Sequence, residues 1–427
     1  MTAEATRRTL ADTPQRKIML GVLLVDTVAA GAFYPLTFLY LTLSTDLPVA
    51  QIGLILTGGG LVALVLNPVA GSVADRWGAQ RTLVLANACC GLGYLGLVDI
   101  HGWFQVVVAV AFISFSQRLY WVGWPVFIAG QVAEGETLDR WFAVVNAFKS
   151  GALGLGAMTA AAALAIGDVG TLRGILAAAV GASFLSAVVF LRLRMTPRTS
   201  GEGTAGPVPR DAGAATGRGG WRVVLADRPY VVMTAAHTAL TMAWLLPSVV
   251  LPVYFVDTLG LPTWVPSVAF AVNTAMTVLF QTAVSRSLAS LRRTRAVLTG
   301  ACAFLLAFAV LAGADAGASP AVATGLALVG MMLFSVGEMS AGPPAQSLSM
   351  EAAPVPLRGR YSSVFQMSWT VSGVGGPAVV GALLQWNSQA LWLVLGVCVA
   401  VGGLGFVRCE RAFPPDVLHS EPKRIDV

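Results

Sequence analysis

Apolar residues run along this chain in blocks of about 20, the length at which a helix spans the hydrocarbon core of a bilayer. Short polar and basic stretches separate the blocks. Read in order, the pattern predicts helices over roughly 17–44, 50–71, 81–100, 103–131, 141–167 and 171–192. A second set follows over roughly 229–256, 264–285, 295–314, 320–347, 361–385 and 389–408. Between the sets lies RMTPRTSGEGTAGPVPRDAGAATGRGG, whose Gly, Pro, Ala and Thr cannot bury a core, so it reads as a flexible linker. The expected organisation is a six-helix bundle over 1–194, a cytoplasmic linker over 195–228, and a second six-helix bundle with a short tail over 229–427.

Composition agrees with lipid as the solvent. Of 427 residues 56% are hydrophobic and only 11% charged, and mean hydropathy is +0.74. A soluble domain carries roughly a quarter charged residues, so this chain lacks the polar surface to dissolve as a globule. The fold class expected is therefore an all-α membrane protein. The net charge of +6 does not point to nucleic acid, because aromatic and basic residues are not interleaved on any soluble module. Cys89, Cys90, Cys302, Cys398 and Cys409 have no metal-ligand or disulfide spacing and read as small core residues. Ile18–Leu43 is too long for a signal-peptide core and has no small-residue cleavage site, so it reads as the first span.

Lys and Arg set the orientation. With the N-terminus inside, the inner segments collect Arg7, Arg8, Arg16 and Lys17, then Arg76 and Arg81, then Arg140 and Lys149. They continue with the arginines from Arg192 to Arg228, with Arg286, Arg292, Arg293 and Arg295, and with Arg358 and Arg360. The tail adds Arg408, Arg411, Lys423 and Arg424, while Asp46, Asp99, Asp168, Asp257 and Asp315 fall outside. Both termini are expected in the cytoplasm of a bacterial cytoplasmic membrane.

The halves echo each other at an offset of about 214 residues, as parallel transporter repeats do. RTLVLANACCGL at 81–92 answers RAVLTGACAFLL at 295–306, and each follows a short basic inner loop. The first of those loops reads GSVADRWGAQR. It resembles the signature loop between helices 2 and 3 of the major facilitator superfamily, in Gly71, Asp75, Arg76, Gly78 and Arg81. Ala79 and Gln80 depart from the usual basic pair, and in the second half Ala289 stands where Asp75 stood. The first helix, with Asp26, Gly31 and Pro35, the fourth, with Arg118 and Gly123, and GVGGPAVVG at 373–381 are similar to the drug:proton antiporter branch. One departure is that the Gly-Pro pair expected on helix 5 is absent there and occurs on helix 11 as Gly376-Pro377. The resemblance implies twelve helices in two pseudo-symmetric bundles. It also implies a conformational gate made of Gly71, Asp75, Arg76, Gly78, Arg81, Arg140, Gly376 and Pro377, with Asp75 latched near helix 11 and a basic residue such as Arg140.

Ionisable side chains at bilayer depth cost a few kcal/mol on insertion scales and are functional candidates by default. Asp26, Arg118, His237 and Glu338 lie inside spans, on helices 1, 4, 7 and 10. In the resembling family those four helices line the central cavity. Helical spacing adds companions on the same faces: Phe33 and Tyr34 with Asp26, Trp121 with Arg118, Thr241 and Trp244 with His237, and Ser335 with Glu338. Gln117, Asn273, Gln366 and Trp369 complete the candidate substrate cavity. Such a lining suits a largely apolar small molecule with a polar handle. A structural ion pair for Asp26 and Arg118, and a neutral hydrogen-bonded core histidine for His237, are the plainer alternatives.

Burial disfavours a charged carboxylate and a neighbouring guanidinium favours it, so a group held between the two can take a proton from one side and release it on the other. Asp26 and Glu338 are the candidate proton sites, with Arg118 and His237 as partners. The three histidines, and the absence of a GxSxG or Walker loop, leave hydrolysis and ATP drive without residues. The expectation is a non-enzymatic, cofactor-free, metal-free transporter that works as a monomer in the bilayer, takes its energy from the proton gradient, and exports small apolar compounds. The alternatives are an uptake symporter or facilitator for a small metabolite, and a non-transporting sensor on the same fold.

Overall fold

The computed structural model describes residues 14–33, 36–132, 136–166, 169–193, 219–314 and 319–420. Among these residues every regular element is helical. The first apolar block forms a pair of helices, Pro14–Phe33 and Thr37–Ser44, together α1. Their axes differ by 53° across the intervening break. The next five spans are α2 (Val49–Trp77), α3 (Ala79–Val98), α4 (Trp103–Ala129), α5 (Leu138–Ile166) and α6 (Val169–Arg192). The second set begins with α7 (Arg228–Thr258), followed by α8 (Trp264–Ser287), α9 (Arg293–Gly313) and α10 (Pro320–Glu351). It closes with α11 (Arg358–Trp386) and α12 (Ser388–Cys409). Eleven helices are long and apolar enough to cross a membrane, or twelve with the bent pair taken as one. The chain is an all-α, multi-pass membrane protein whose helices follow the spans expected from hydropathy, except that α2 runs six residues past the expected end at 71, to Trp77. Most of the expected linker lies outside the described residues, and its last part forms a short helix, Gly219–Ala226.

The chain forms two compact units. Unit 1 holds residues 1–131 and 148–201, and unit 2 holds residues 132–147 and 202–427, so α5 contributes to both.

In unit 1 a core of Phe33, Tyr40, Leu41, Ile52, Tyr94, Leu97 and Val106 fills the space between helices. The phenol of Tyr40 donates to the Leu97 carbonyl at 2.7 Å, so the one polar atom it carries inward is satisfied. Helices α1 and α5 touch backbone to backbone. A Cβ added at Gly156 would meet the Val28 carbonyl oxygen and would lie 2.7 Å from the Ala32 nitrogen. One at Gly31 would lie 2.8 Å from the Leu153 carbonyl oxygen. Small residues are what permit two membrane helices to approach so closely. Gly156→Val is expected to force the pair apart, at about 1–3 kcal/mol of overpacking, and to lower the melting temperature of the detergent-solubilised protein. An unchanged melting curve would show that the crossing yields freely.

Unit 2 has its own core, with Tyr230, Tyr254, Phe304, Phe334, Tyr361 and Phe365 fully buried. Helix starts are capped from the sequence. The Asp227 carboxylate accepts from the Tyr230 amide and from the Tyr361 hydroxyl, at 3.2 and 2.9 Å. Asn387 caps α12 through the amides of Gln389 and Ala390. Helix α7 is regular only as far as Thr241. It then passes through a 3-10 turn at Met242–Leu245 and π turns at Leu246–Val250 and Tyr254–Thr258. Pro247 and Pro252 lie in this stretch, and each removes a ladder donor and crowds the preceding turn. On the outside, Leu393, Val397, Val401 and Leu404 recur every four residues or so along α12 and stay exposed, the face a lipid-solvated helix presents.

Candidate functional site

Unit 1 gathers opposite charges among aromatic rings. The α1–α5 crossing sets the register. Gly31 meets Leu153 and Gly156 meets Val28 and Ala32, so in parallel helices Asp26 falls beside Lys149. The two groups act on each other electrostatically, and Lys149 is the cation whose field acts on Asp26. Its ammonium is buried with no hydrogen-bond partner among the described residues. It lies instead over three rings of α4, 4.7 Å from the centroid of Tyr120, 4.3 Å from Trp121 and 5.3 Å from Trp124. Tyr120 and Trp124 stack nearly parallel at 5.8 Å, while Trp121 stands edge-on to Tyr120 at 5.6 Å. Gln117 fixes the exposed member of the cage by accepting from the Trp121 indole at 3.0 Å. Each ring contributes about 0.5–2 kcal/mol to a desolvated cation, against several kcal/mol for burying it. The rings therefore offset part of the cost, and the nearby carboxylate offsets more.

This changes the expected membership of the site. Lys149 had counted as a topological cation near the inner end of helix 5. It lies eleven residues into α5, roughly 16 Å along the axis. The fifth helix thus carries a membrane-embedded charge as well. Arg118 sits half-buried beside Gln117 on α4. Phe33 is fully buried in the apolar core, edge-on to Tyr40 and Tyr94 at 5.8 and 5.3 Å. Tyr34, like Pro35, lies outside the described residues.

Unit 2 brings most of its candidates together. Both carboxylate oxygens of Glu338 accept, one from the Trp244 indole at 3.2 Å and the other from the Asn273 amide at 2.8 Å. The Asn273 amide also reaches the Ser335 hydroxyl at 3.0 Å. Trp244 stands in the 3-10 turn of α7, so the proline-driven break in that helix sets where its indole lies. Trp244 packs edge-on to Trp369 and to Phe304, each at 5.1 Å, and Trp369 continues edge-on to His237 at 5.6 Å. His237 stacks on Phe365 at 4.1 Å, and its Nδ1 shares a 2.7 Å hydrogen bond with Ser368. That is the setting of a packed, hydrogen-bonded core histidine. Thr241 pairs with Ser372 at 2.7 Å along the same α7–α11 seam. Gln366 is buried one turn away, facing the Gln346 amide oxygen at 3.5 Å.

The loop motif is built as a helix break. Asp75 and Arg76 occupy the last turn of α2, Gly71 is buried, and Arg76 and Arg81 are exposed. Gly78 has φ +80°, a conformation that side chains disfavour, and its carbonyl then accepts the amide and hydroxyl of Thr82 to start α3. Pro377 lies inside α11, and the preceding Gly376 packs against the Leu245 side chain. Arg140 is exposed, and the strong contact belongs to the residue before it. Asp139 receives Arg293 through Nε at 2.9 Å and Nη2 at 2.7 Å, while Arg293 Nη1 donates to the Val417 carbonyl at 2.6 Å. Arg292, Arg293 and Arg295 crowd the positive end of the α9 dipole, an unfavourable place for cations. Asp139 neutralises one, and Glu410 bonds Arg292, Thr294 and Arg295.

The family model described as the Major Facilitator Superfamily matches residues 18–377. The chain belongs to that superfamily. Members are transporters, so this is a membrane transporter and not an enzyme. Its fold is similar to that of a bacterial homologue of the iron transporter ferroportin solved in an outward-facing state. That likeness has a TM-score of 0.74 and 14% identity, over 93% of this chain and 100% of that one. It is also similar to the superfamily transporter FucP in its outward conformation, with a TM-score of 0.68 and 12% identity, over 92% and 98% of the two chains. No curated protein matches the sequence. At these identities the likeness carries the fold alone.

Proposed function

We propose that this transporter exports small, largely apolar compounds across a bacterial cytoplasmic membrane in exchange for protons, by alternating access, with its termini in the cytoplasm. The observation that carries the reading is the half-buried Asp26–Lys149 pair, its ammonium inaccessible, beside the ring wall of Tyr120, Trp121 and Trp124. A carboxylate and an amine that act on each other through their fields form a unit that can take up and give up one proton, and the rings receive an apolar body. Glu338, with Trp244, Asn273 and Ser335, is the corresponding polar point in unit 2. Asp75 and its loop, with Gly376 and Pro377, serve as the conformational gate.

The ferroportin homologue is described as kin of an iron transporter. Among the described residues no three His, Cys, Asp or Glu side chains come together as a metal site. Each cluster sets a single carboxylate among aromatic rings, and that composition supports an organic cargo.

The test uses inside-out vesicles with an acidic interior and a panel of apolar compounds. Proton-driven export predicts accumulation that collapses when an ionophore dissipates the gradient. Accumulation only in right-side-out vesicles would replace export by uptake.

A further inference from the structure

Lys149 places an ammonium where a cationic ligand would sit. Three rings turn toward its Nζ at 4.3 to 5.3 Å, and Asp26 supplies the opposing charge. Aromatic walls with a nearby carboxylate are the chemistry that recognises an organic cation, because ring faces are electronegative and the carboxylate balances the charge. Among the described residues no oxygen is bonded to the ammonium, and what surrounds it there is the three rings and the field of Asp26. The cage also has a way in. Trp121 is 41% exposed while Trp124 is buried, and a single side-chain bond to Gln117 holds the Trp121 ring.

We propose that Lys149 is the built-in occupant of an organic-cation site formed by Tyr120, Trp121, Trp124 and Asp26, and that an amphipathic monocationic substrate and the protonated lysine occupy this cage alternately. Resting on the export reading above, this names the substrate class and the group the substrate replaces. One carboxylate balances one positive charge in a buried site, and a second cation would be uncompensated. As the substrate cation enters, the ammonium therefore passes one proton to water on the side to which the site is open and withdraws as a neutral amine. Reprotonation of the amine on the other side expels the substrate. The site then carries the same net charge throughout, and exchange of one proton for one monocation follows from occupancy alone.

The test uses the full-length protein in detergent with two probes of the same shape and opposite charge, tetraphenylphosphonium and tetraphenylborate. Wild type is expected to bind the phosphonium, to prefer it over the borate, and to release close to one proton per phosphonium bound in weakly buffered solution. Lys149→Arg, whose guanidinium keeps its proton, is expected to bind phosphonium at least tenfold more weakly and without proton release. Lys149→Met, which vacates the cage, is expected to bind it at least as tightly as wild type. The two variants move in opposite directions, so a general loss of folding cannot reproduce the pattern. A preference for the borate, or equal phosphonium binding and proton release in wild type and Lys149→Arg, overturns the proposal. Compounds driven by the pH gradient equally well in Lys149→Arg vesicles would remove the cation site and leave the export reading standing. If wild-type vesicles move no compound of the panel and the phosphonium does not bind, both fall together.

Discussion

Arg293→Met is expected to destabilise the protein by about 3–5 kcal/mol, the cost of breaking a buried ion pair from one side. Arg293 is 4% exposed and spends its whole guanidinium on two acceptors, the Asp139 carboxylate and the Val417 carbonyl. Removing it strands a largely buried carboxylate and a carbonyl oxygen with no donor. The same principle predicts the opposite for a paired change. Asp139→Leu combined with Arg293→Met removes both charges and should recover most of the loss, because apolar replacement of a complete buried pair is near neutral. Thermal unfolding of the three proteins in one detergent reads the order directly. Equal melting of the single and double variants would mean that the contact is not a buried pair in solution.

Asp26→Asn is expected to abolish transport driven by a pH gradient while leaving the protein folded and inserted. The amide matches the carboxylate in size but carries no charge to set against Lys149 and takes up no proton. Without that counter-charge a protonated Lys149 is uncompensated in its site, and the proton that drives the exchange is no longer held there. Facilitated movement of a compound down its own gradient can persist in this variant, so the two activities should separate. Retention of full gradient-driven accumulation would move the coupling elsewhere, with Glu338 as the remaining carboxylate among the candidates.

The spans were legible because a bilayer dictates both their length and their composition. Hydropathy placed the start of α9 at about 295 and the structure places it at Arg293. The unwinding of α7 was written in Pro247 and Pro252, but a smooth apolar average passes over them. In unit 2 helical spacing paired Ser335 with Glu338 and Trp244 with His237, and the structure adds the cross-helix bonds of Trp244 and Asn273 to Glu338.

Unit 1 was harder to read. Lys149 was hidden by its own charge, because a lysine within a dozen residues of a helix start counts as positive-inside. The available signal was its phase: Lys149, Leu153 and Gly156 follow one another at helical spacing, and that glycine face is the one that meets α1. Phe33 has different surroundings from Asp26. It shares a face with Asp26, yet two turns along that face the neighbours change to Tyr40 and Tyr94, and the surroundings become core. Asp139 escaped notice because an acid among inner basic residues looks like noise until its partner on α9, far away in sequence, is known.

Proton exchange through the Asp26–Lys149 pair is the central claim. Its most direct test is the proton itself, followed with a pH-sensitive dye inside proteoliposomes holding the purified transporter. A compound identified in the vesicle panel is added outside, with no imposed pH gradient. The account predicts a substrate-dependent pH change inside, opposite in direction to the movement of the compound and absent in Asp26→Asn. Substrate uptake with no accompanying proton movement in the wild type would contradict it.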